Sequence, residues 1–272
     1  NGKVTSILNR ISLPAHKLVE EFMIQANVAA AEELERKQTP CLYRIHEQPS
    51  FDKLETLRQF MESLNYNFAK GQVIKPKIFN NLMSKVVGTP HENVVSTIVL
   101  RTQMQAKYSP DNHGHFGLSL TKYAHFTSPI RRYADVMVHR ALIKALKLGD
   151  DGLSKYDAEN LFETAEHIST TERNSMIAER NSTERYIAHY MSTKIDEEFD
   201  GKINGVLRAG LFISLTETGG EGFVPISSLV GDYFHHDQDH QLLKGERSGI
   251  VFQLGDSVTV KLREANPISG GL

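Results

Sequence analysis

The sequence has almost no cysteine, no long hydrophobic run and almost no net charge. The single cysteine, Cys41, among 272 residues excludes an internal disulfide and a zinc site built from several thiolates. It also favours a reducing compartment, which predicts a cytoplasmic protein. The longest purely apolar stretches, such as residues 28–31, are far shorter than the roughly 20 residues of a membrane helix. No basic-then-apolar leader opens the sequence, so we expect no membrane insertion.

The charge balance excludes nucleic-acid binding through bulk charge. The chain has 31 basic and 33 acidic residues, a net charge of -2. The charges are unevenly placed: residues 120–148 contain six basic residues and one acid, whereas residues 197–272 contain six basic and eleven acidic residues. A local basic stretch therefore remains as a candidate anion-binding surface.

Composition and hydrophobic spacing predict a folded protein with two parts. With 40% hydrophobic and 24% charged residues, the chain has a globular composition. Helical spacing predicts helices at residues 14–37, 51–64, 77–86, 91–107, 129–149 and 157–197, and alternation predicts strands at 2–11 and 41–45. The apolar face of the first helix is expected to carry Leu18, Val19, Phe22, Met23, Ala26, Ala29 and Ala30.

From residue 199 onward, glycines separate short runs that are rich in valine and isoleucine. These runs, at residues 202–207, 211–215, 222–226 and 257–262, are typical of a five-stranded oligonucleotide-binding (OB) barrel. The sequence thus predicts an α+β fold, with a mainly helical part at residues 1–198 and a small all-β OB-fold barrel at residues 199–272.

The strongest signal for chemistry is the segment at residues 123–135, which reads Tyr-Ala-His-Phe-Thr-Ser-Pro-Ile-Arg-Arg-Tyr-Ala-Asp. Ser128 and Pro129 have the residue types of a helix N-cap and first helical position. A helix that begins there offers unpaired N–H groups and two guanidinium groups, Arg131 and Arg132, to an anionic phosphate. The alternative is that Arg131 pairs with Asp135 one turn on, with Arg132 a solvated or structural residue.

Two segments carry a resemblance to a known family. Residues 115–118 (His-Phe-Gly-Leu) with 123–135, and residues 19–23 with Ala26 and Asn27, resemble the signatures of the RNB exoribonucleases, the ribonuclease II and ribonuclease R family. The ribonuclease R branch is the more similar. The resemblance continues through residues 178–180, and the C-terminal barrel resembles an S1-type RNA-binding domain. It implies the C-terminal portion of an RNB catalytic domain at 1–198 and an S1-type OB fold, truncated at its end, at 199–272.

The resemblance implies processive 3′-to-5′ hydrolysis of single-stranded RNA to nucleoside 5′-monophosphates. Arg131 would contact the scissile phosphate and stabilise charge in the transition state. Glu20 would accept a hydrogen bond from a ribose hydroxyl, and Glu179 would touch the terminal nucleotide. Further RNA contacts are implied at Tyr123, His125, Ser128 and Arg132. Without the resemblance, each glutamate is interpreted as a solvated helix residue.

In the barrel, Lys202, Phe212 and Phe223 occupy positions where this type of domain presents basic and aromatic groups to single-stranded bases. Alternation places Phe212 on the opposite face of its strand from Leu211 and Ile213, which favours exposure of Phe212. The alternative for both phenylalanines is a place in the core, and for Phe223 the pattern does not decide.

The family hydrolyses phosphodiesters with Mg²⁺ held by clustered aspartates, because paired metals activate water and stabilise the leaving oxygen. The expected spacing, Asp-x5-Asp-x-Asp-Asp, occurs nowhere in this sequence. We therefore predict no metal ligand here, expect those aspartates upstream of Asn1, and interpret the chain as a monomeric piece cut at both ends. Two alternatives remain: an inactive RNA-binding fragment, and a scaffold that docks a partner.

Histidine and aspartate are concentrated at residues 232–240, which hold three of each. Such a composition can bind a transition metal. A solvated loop between strands is the more frequent structure for a segment of this kind. His113 and His115 are interpreted in the same way, and His139 as a packed residue near the helix.

Overall fold

The computed structural model describes residues 4–8, 12–68, 74–89, 91–229, 231–238 and 240–272. The helices in these ranges are α1 (Pro14–Arg36), α2 (Phe51–Ser63), α3 (Pro76–Val86), α4 (Glu92–Thr102), α5 (Tyr133–Leu146), α6 (Lys155–Glu159) and α7 (Leu161–Met191). The strands are β1 (Tyr43–Ile45), β2 (Lys107–Ser109), β3 (Glu198–Leu207), β4 (Gly210–Leu215), β5 (Glu221–Pro225), β6 (Phe234–Asp237), β7 (Leu242–Gly245), β8 (Val251–Gln253) and β9 (Ser257–Lys261). The α+β prediction, helices first and antiparallel strands after, is confirmed.

The first three helices begin where their local chemistry allows it. Pro14 and Pro76 stand at the first positions of α1 and α3, where a missing N–H costs nothing. The Ser50 hydroxyl accepts a hydrogen bond from the Lys53 N–H at 3.4 Å and caps α2. These three helices therefore match their predicted spans to within one residue at each end.

Helix α5 begins at Tyr133, four residues later than predicted. Arg132 has an extended backbone with φ of -129°, and the N–H groups of Arg131 and Arg132 both donate to the Ser128 carbonyl in a single turn. The Ser128–Pro129 pair therefore opens a turn, and the prediction of a helix from residue 129 is wrong. Lys147 adopts the left-handed conformation, with φ of 56°, and ends the helix before Gly149.

Three further predicted elements differ from the structure. Helix α4 ends at Thr102, because Gln103 is extended and the chain continues into β2. The predicted helix at residues 157–197 is divided at Asn160, whose φ and ψ are -105° and 16°, and it ends at Met191. Residues 4–8 form no strand, and the rest of the predicted strand at 2–11 lies outside the described residues.

The β part contains two sheets. Strands β5-β4-β3-β9 form one antiparallel sheet, and β6-β7-β8 form a second. The predicted count of five strands is wrong, because residues 234–253 form a three-stranded sheet of their own. Within the first sheet, Phe212 pairs with Phe223 across β4 and β5.

Two large hydrophobic clusters hold the molecule together. The first joins α1, β1, α5 and α7 around residues such as Leu34 and Val138. The second joins α2, α3 and α4 to the β part, so that Leu57 and Ile203 belong to one core. In α1 the predicted apolar face is partly wrong: Leu18, Val19 and Phe22 are exposed, and packing begins only near Asn27.

A helix that spans a bilayer must be both long and apolar. Within the described ranges, no helix is both long enough and apolar enough to cross a membrane.

Candidate nucleic-acid interface

The segment at residues 123–131 belongs to no helix or strand, and side chains fix its backbone. The side-chain oxygen (Oδ1) of Asn27, on α1, accepts hydrogen bonds from the backbone N–H groups of Phe126 at 2.8 Å and Thr127 at 3.2 Å. The Asn27 amide nitrogen donates to the Tyr123 hydroxyl at 3.0 Å. Asn27 is only 3% exposed, so this polar side chain is buried with its hydrogen bonds satisfied.

Helix α5 fixes the same segment from its other side. The Asp135 carboxylate accepts the Ser128 N–H at 2.7 Å, and His139 Nε2 donates to the Phe126 carbonyl at 2.8 Å. Three successive N–H groups, those of residues 126, 127 and 128, thus have side-chain acceptors. These contacts take the place of a sheet or helix and hold the turn that carries Arg131.

The two arginines of the turn have different surroundings. Arg132 binds Asp135 through two hydrogen bonds of 2.8 Å, and the Asp135 side chain is completely buried. Arg131 is exposed, and its side chain makes no hydrogen bond or ion pair with the residues that the structure describes. The interpretation that Arg131 pairs with Asp135 is therefore wrong, because Arg132 is the partner. A free guanidinium remains on a fixed turn.

The electrostatic environment of this turn favours an anion. Burial, followed by the charges of Arg132 and Arg44, lowers the pKa of His125 to about 3, with a smaller contribution from Arg131. His125 is therefore neutral near pH 7, and its Nδ1 is hydrogen-bonded to the Tyr108 hydroxyl at 2.8 Å. Burial raises the pKa of Tyr108 to about 12, so this hydroxyl stays protonated.

Helix α7 is tied to the same region through Arg44 on β1. The Arg44 guanidinium binds Glu172 at 2.6 Å and lies 4.6 Å from the centre of the Tyr108 ring. The Arg44 N–H also donates to the Tyr123 carbonyl at 2.9 Å. Helices α1 and α5 therefore contact the segment that carries Arg131 directly, and α7 is joined to it through Arg44.

The two predicted RNA-contacting glutamates lie on the helices that flank this segment. Glu20 is seven residues before Asn27 on α1, and Glu179 is seven residues after Glu172 on α7. A separation of seven residues is nearly two full turns, so each glutamate shares a helix face with a residue that anchors the site. Both glutamates are exposed.

In the β part, Phe212 and Phe223 form an exposed aromatic pair. Their side chains are 40% and 37% exposed, and their ring centres are 5.0 Å apart. Lys202 is exposed on β3, and its Nζ lies 3.4 Å from Asn93 Oδ1 on α4. Lys202 is thus placed at the contact between the β part and the helices, apart from the Arg131 turn.

A magnesium site needs several oxygen ligands, usually carboxylates, close together. Among the described residues, no group of three or more histidine, cysteine, aspartate or glutamate side chains comes together. In the run at 232–240, Asp237 accepts a hydrogen bond from His240 at 2.7 Å, and Asp232 binds the backbone of residues 247 and 248. The residues present do not fit a metal site, and we assign no metal-dependent step to them.

Sequence reasoning missed several residues that build the site. Asn27 stood in a recognised motif, and a single amide beside the alanines of an otherwise apolar helix face is a signal that could have revealed its role. For Arg44 and Glu172 the sequence offers no such signal, because the two partners lie 128 residues apart along the chain.

Two family models match this chain. The model of the RNB domain matches residues 1–148, and the model of the S1 RNA binding domain matches residues 192–267. The fold is therefore that of an RNB domain followed by an S1 RNA binding domain. The RNB match covers more than half of the 272 residues, and the chain belongs to the RNB family.

Its relatives are ribonucleases R, in agreement with the resemblance. Ribonuclease R of Aquifex aeolicus is 43% identical over 260 residues, which cover 96% of this chain and 37% of that protein. Ribonuclease R of Escherichia coli is 37% identical over 93% of this chain and 32% of its own length. The structure of Mycoplasma genitalium RNase R in complex with ribose methylated single-stranded RNA superposes with a TM-score of 0.86 at 25% identity, over 98% of this chain and 42% of that one. The chain thus spans about a third of the length of these curated relatives.

Proposed function

We propose that this chain is part of a processive 3′-to-5′ exoribonuclease that hydrolyses single-stranded RNA to nucleoside 5′-monophosphates. In this proposal, residues 1–198 are the C-terminal portion of the catalytic domain and residues 199–272 are an S1-type RNA-binding domain. We further propose a cytoplasmic monomer. The support comes from membership of the RNB family and from relatives that are ribonucleases R.

The observation that carries the proposal is the free guanidinium of Arg131 on a turn that side chains fix. Arg131 would contact the scissile phosphate, and a positioned cation lowers the energy of negative charge that develops in the transition state. Arg132 neutralises the buried Asp135 and would therefore hold the turn. His125 and Ser128 would line the RNA path beside it. Tyr123, predicted as an RNA contact, is buried with its hydroxyl bound to Asn27, so it would hold the turn in place.

The remaining contacts follow the same path. Glu20 would accept a ribose hydroxyl, which distinguishes RNA from DNA, and Glu179 would touch the terminal nucleotide. In the β part, Phe212 and Phe223 would stack on bases, with Lys202 near the backbone. Magnesium belongs to the chemistry of the family, but no step through it is derived from the residues described here.

The test measures RNA affinity of the 272-residue chain for a fluorescein-labelled oligouridylate as a function of salt. We expect Arg131→Ala to weaken binding several-fold and to lower the slope of log affinity against log salt by about 0.7, the value for one phosphate contact to a single strand. Arg36→Ala is the matched control, because Arg36 is an exposed arginine in the last turn of α1. Equal affinity and slope for the wild type and Arg131→Ala would contradict the phosphate contact.

A second candidate function is RNA binding without hydrolysis. The observation in its favour is that the described residues bring together no metal-ligating cluster. Release of mononucleotides from 3′-labelled RNA, measured with magnesium and with a chelator, distinguishes the two. Magnesium-dependent release by the chain supports hydrolysis, whereas tight binding with no release supports the second candidate.

A further inference from the structure

Strand β6, which lies in the histidine- and aspartate-rich run of the sequence, forms a hairpin with β7 beside a groove. Strand β6 pairs antiparallel with β7, and the groove next to them has a volume of about 690 Å³. The side chains that line the groove include Arg208, Ser227, Tyr233, His235 and His236. The groove therefore contains a cation, aromatic rings and polar groups, which is unlike an apolar docking surface.

Asp232 makes the entry to this hairpin rigid. Its carboxylate accepts hydrogen bonds from the Ser248 hydroxyl at 2.6 Å, the Ser248 N–H at 2.7 Å and the Arg247 N–H at 3.0 Å. These bonds, with that of the Ser248 side chain the strongest, lower the pKa of Asp232 to about 2. The Asp232 carboxylate thus holds the loop at 247–248 in place. Tyr233 follows Asp232 in the chain and therefore has a fixed position.

Tyr233 presents a large aromatic surface to solvent. It is 65% exposed, and its ring meets that of His235 edge to face with centres 5.0 Å apart. His235 in turn lies 3.4 Å from the Glu246 carboxylate. An exposed tyrosine that a neighbouring ring and strand hold in place is a stacking platform with little side-chain entropy to lose.

The groove lies on the same side of the β part as the aromatic pair of Phe212 and Phe223. The Phe223 ring packs against the backbone of Gly210, since a Cβ placed on Gly210 would lie 3.0 Å from Phe223 Cζ. Gly210 closes the turn that carries Arg208, and the Ala209 carbonyl of that turn accepts the Ile226 N–H at 2.8 Å. Phe223, the turn with Arg208, and the groove with Tyr233 therefore follow one another along one side of the β part.

We propose that the groove between Arg208 and Tyr233 is an additional subsite for single-stranded RNA that extends the path beyond Phe212 and Phe223. A base stacks on Tyr233, and the Arg208 guanidinium contacts a phosphate of the same strand. The inference rests on the proposed RNA binding of the chain. It gives the hairpin of β6 and β7 a function that needs no metal ion.

The test compares variants of the 272-residue chain in the binding assay with oligouridylate. Tyr233→Ala is expected to weaken binding by about tenfold, as for the loss of one stacked base, whereas Tyr233→Phe keeps the ring and stays within about twofold of the wild type. Tyr156→Ala, at an exposed tyrosine of α6, is the matched control and should leave affinity unchanged. Arg208→Ala should lower the salt slope by about 0.7, and Arg208→Lys should restore it.

The outcomes separate this subsite from the proposed function. If Phe212→Ala weakens binding while Tyr233→Ala and Arg208→Ala leave affinity and salt slope unchanged, the subsite is overturned and RNA binding by the β part stands. If the wild-type chain does not bind RNA, both proposals fail. A photo-crosslink from 4-thiouridine in the oligonucleotide to the peptide that contains Tyr233 supports the subsite without any substitution, and crosslinks confined to the peptides of Phe212 and Phe223 contradict it.

Discussion

Asn27 shows how one buried side chain organises the turn of the candidate site. Its amide is the acceptor for two consecutive backbone N–H groups and a donor to a tyrosine hydroxyl, all with almost no access to water. Leaving a buried N–H without an acceptor costs about 1–3 kcal/mol. Removal of the Asn27 amide would therefore cost this energy at both Phe126 and Thr127.

We predict that Asn27→Leu lowers the free energy of unfolding by about 2–5 kcal/mol and weakens RNA binding, because it leaves the N–H groups of Phe126 and Thr127 unpaired. Asn27→Asp keeps an oxygen acceptor for both groups and can accept from the Tyr123 hydroxyl, so it should retain more of both properties. Urea unfolding and the RNA-binding assay measure the two effects. Equal losses in the Leu and Asp variants would contradict a role for these hydrogen bonds.

The lowered pKa of His125 predicts how the free energy of unfolding depends on pH. Its folded-state pKa, about 3, lies below the ordinary histidine value of 6.5, so the unfolded chain binds more protons between these values. Stability must then fall as pH decreases through this window. At pH 5 the loss from this group is about 2 kcal/mol relative to pH 7, from about 1.4 kcal/mol per pKa unit.

The matching measurement is the urea midpoint of wild type and His125→Gln at pH 7 and pH 5. The variant should lose less stability than the wild type over this interval, because glutamine does not titrate. His115, whose pKa burial lowers to about 4, remains in both proteins and contributes equally. Parallel pH profiles for the two proteins would show that His125 does not remain neutral in the fold.

At the scale of single residues, the sequence identified the segment but not the roles within it. The sequence indicated Arg131, Arg132 and Asp135 as candidate residues, but it left open which arginine pairs with Asp135. The answer depends on the helix starting at Tyr133, and that start follows from contacts of Ser128 and Asp135 in the folded chain. A displacement of a few residues in a helix start exchanges the partners of neighbouring side chains, and local spacing does not resolve it.

At the scale of elements, helix α4 and the β part meet through backbone atoms. The Arg101 side chain donates to the Asn204 carbonyl at 2.6 Å, and Gly255 packs so closely that an added Cβ would lie 3.0 Å from the Val94 N. Gly255 also has a φ of 93°, where only glycine is comfortable.

We predict that Gly255→Ala weakens the contact between α4 and the β part and costs more stability than Gly231→Ala. Gly231 has a similar φ of 98°, but nothing lies within 4 Å of its Cβ position, so its variant reports backbone strain alone. The difference between the two variants should be about 1–3 kcal/mol in thermal or urea unfolding. The same loss in both variants would show that the contact with Val94 contributes little.

Periodicity was sufficient for α1, α2 and α3, because their caps and apolar spacing lie within the helix itself. It failed for the ends of α4 and α7, where tertiary contacts decide. The three-stranded sheet at 234–253 was also missed, since its strands are three or four residues long and carry polar side chains. Short polar strands have no pattern that separates them from loops.

At the scale of the molecule, the second hydrophobic cluster couples α2, α3 and α4 to the β part, across the boundary that composition predicts. The sequence indicates two parts but not this coupling, because contacts such as those between the regions of Leu57 and Ile203 span about half the chain. The first cluster, with α1, α5 and α7, holds the Arg131 turn separately.

We therefore predict that Leu57→Ala accelerates amide exchange in β3 and β4 as well as in α2, and leaves α5 protected. Leu34→Ala, an equally buried leucine of the first cluster, is the matched control and should act on α5 instead. Each variant is expected to lose about 2–5 kcal/mol of stability. Exchange that increases only in α2 for Leu57→Ala would show that the helices and the β part open independently.

The anchoring of the turn by both Asn27 and Asp135 has a consequence for synthesis of the chain. Asp135 is made 108 residues after Asn27, which at about 5–20 residues per second is a delay of roughly 5–20 seconds. For most of this interval α1 can exist on the ribosome before the turn has been made, and Ser128 lacks its acceptor until Asp135 follows it seven residues later. A nascent chain therefore cannot present Arg131 in its final geometry to the messenger RNA that encodes it until α5 has emerged and packed.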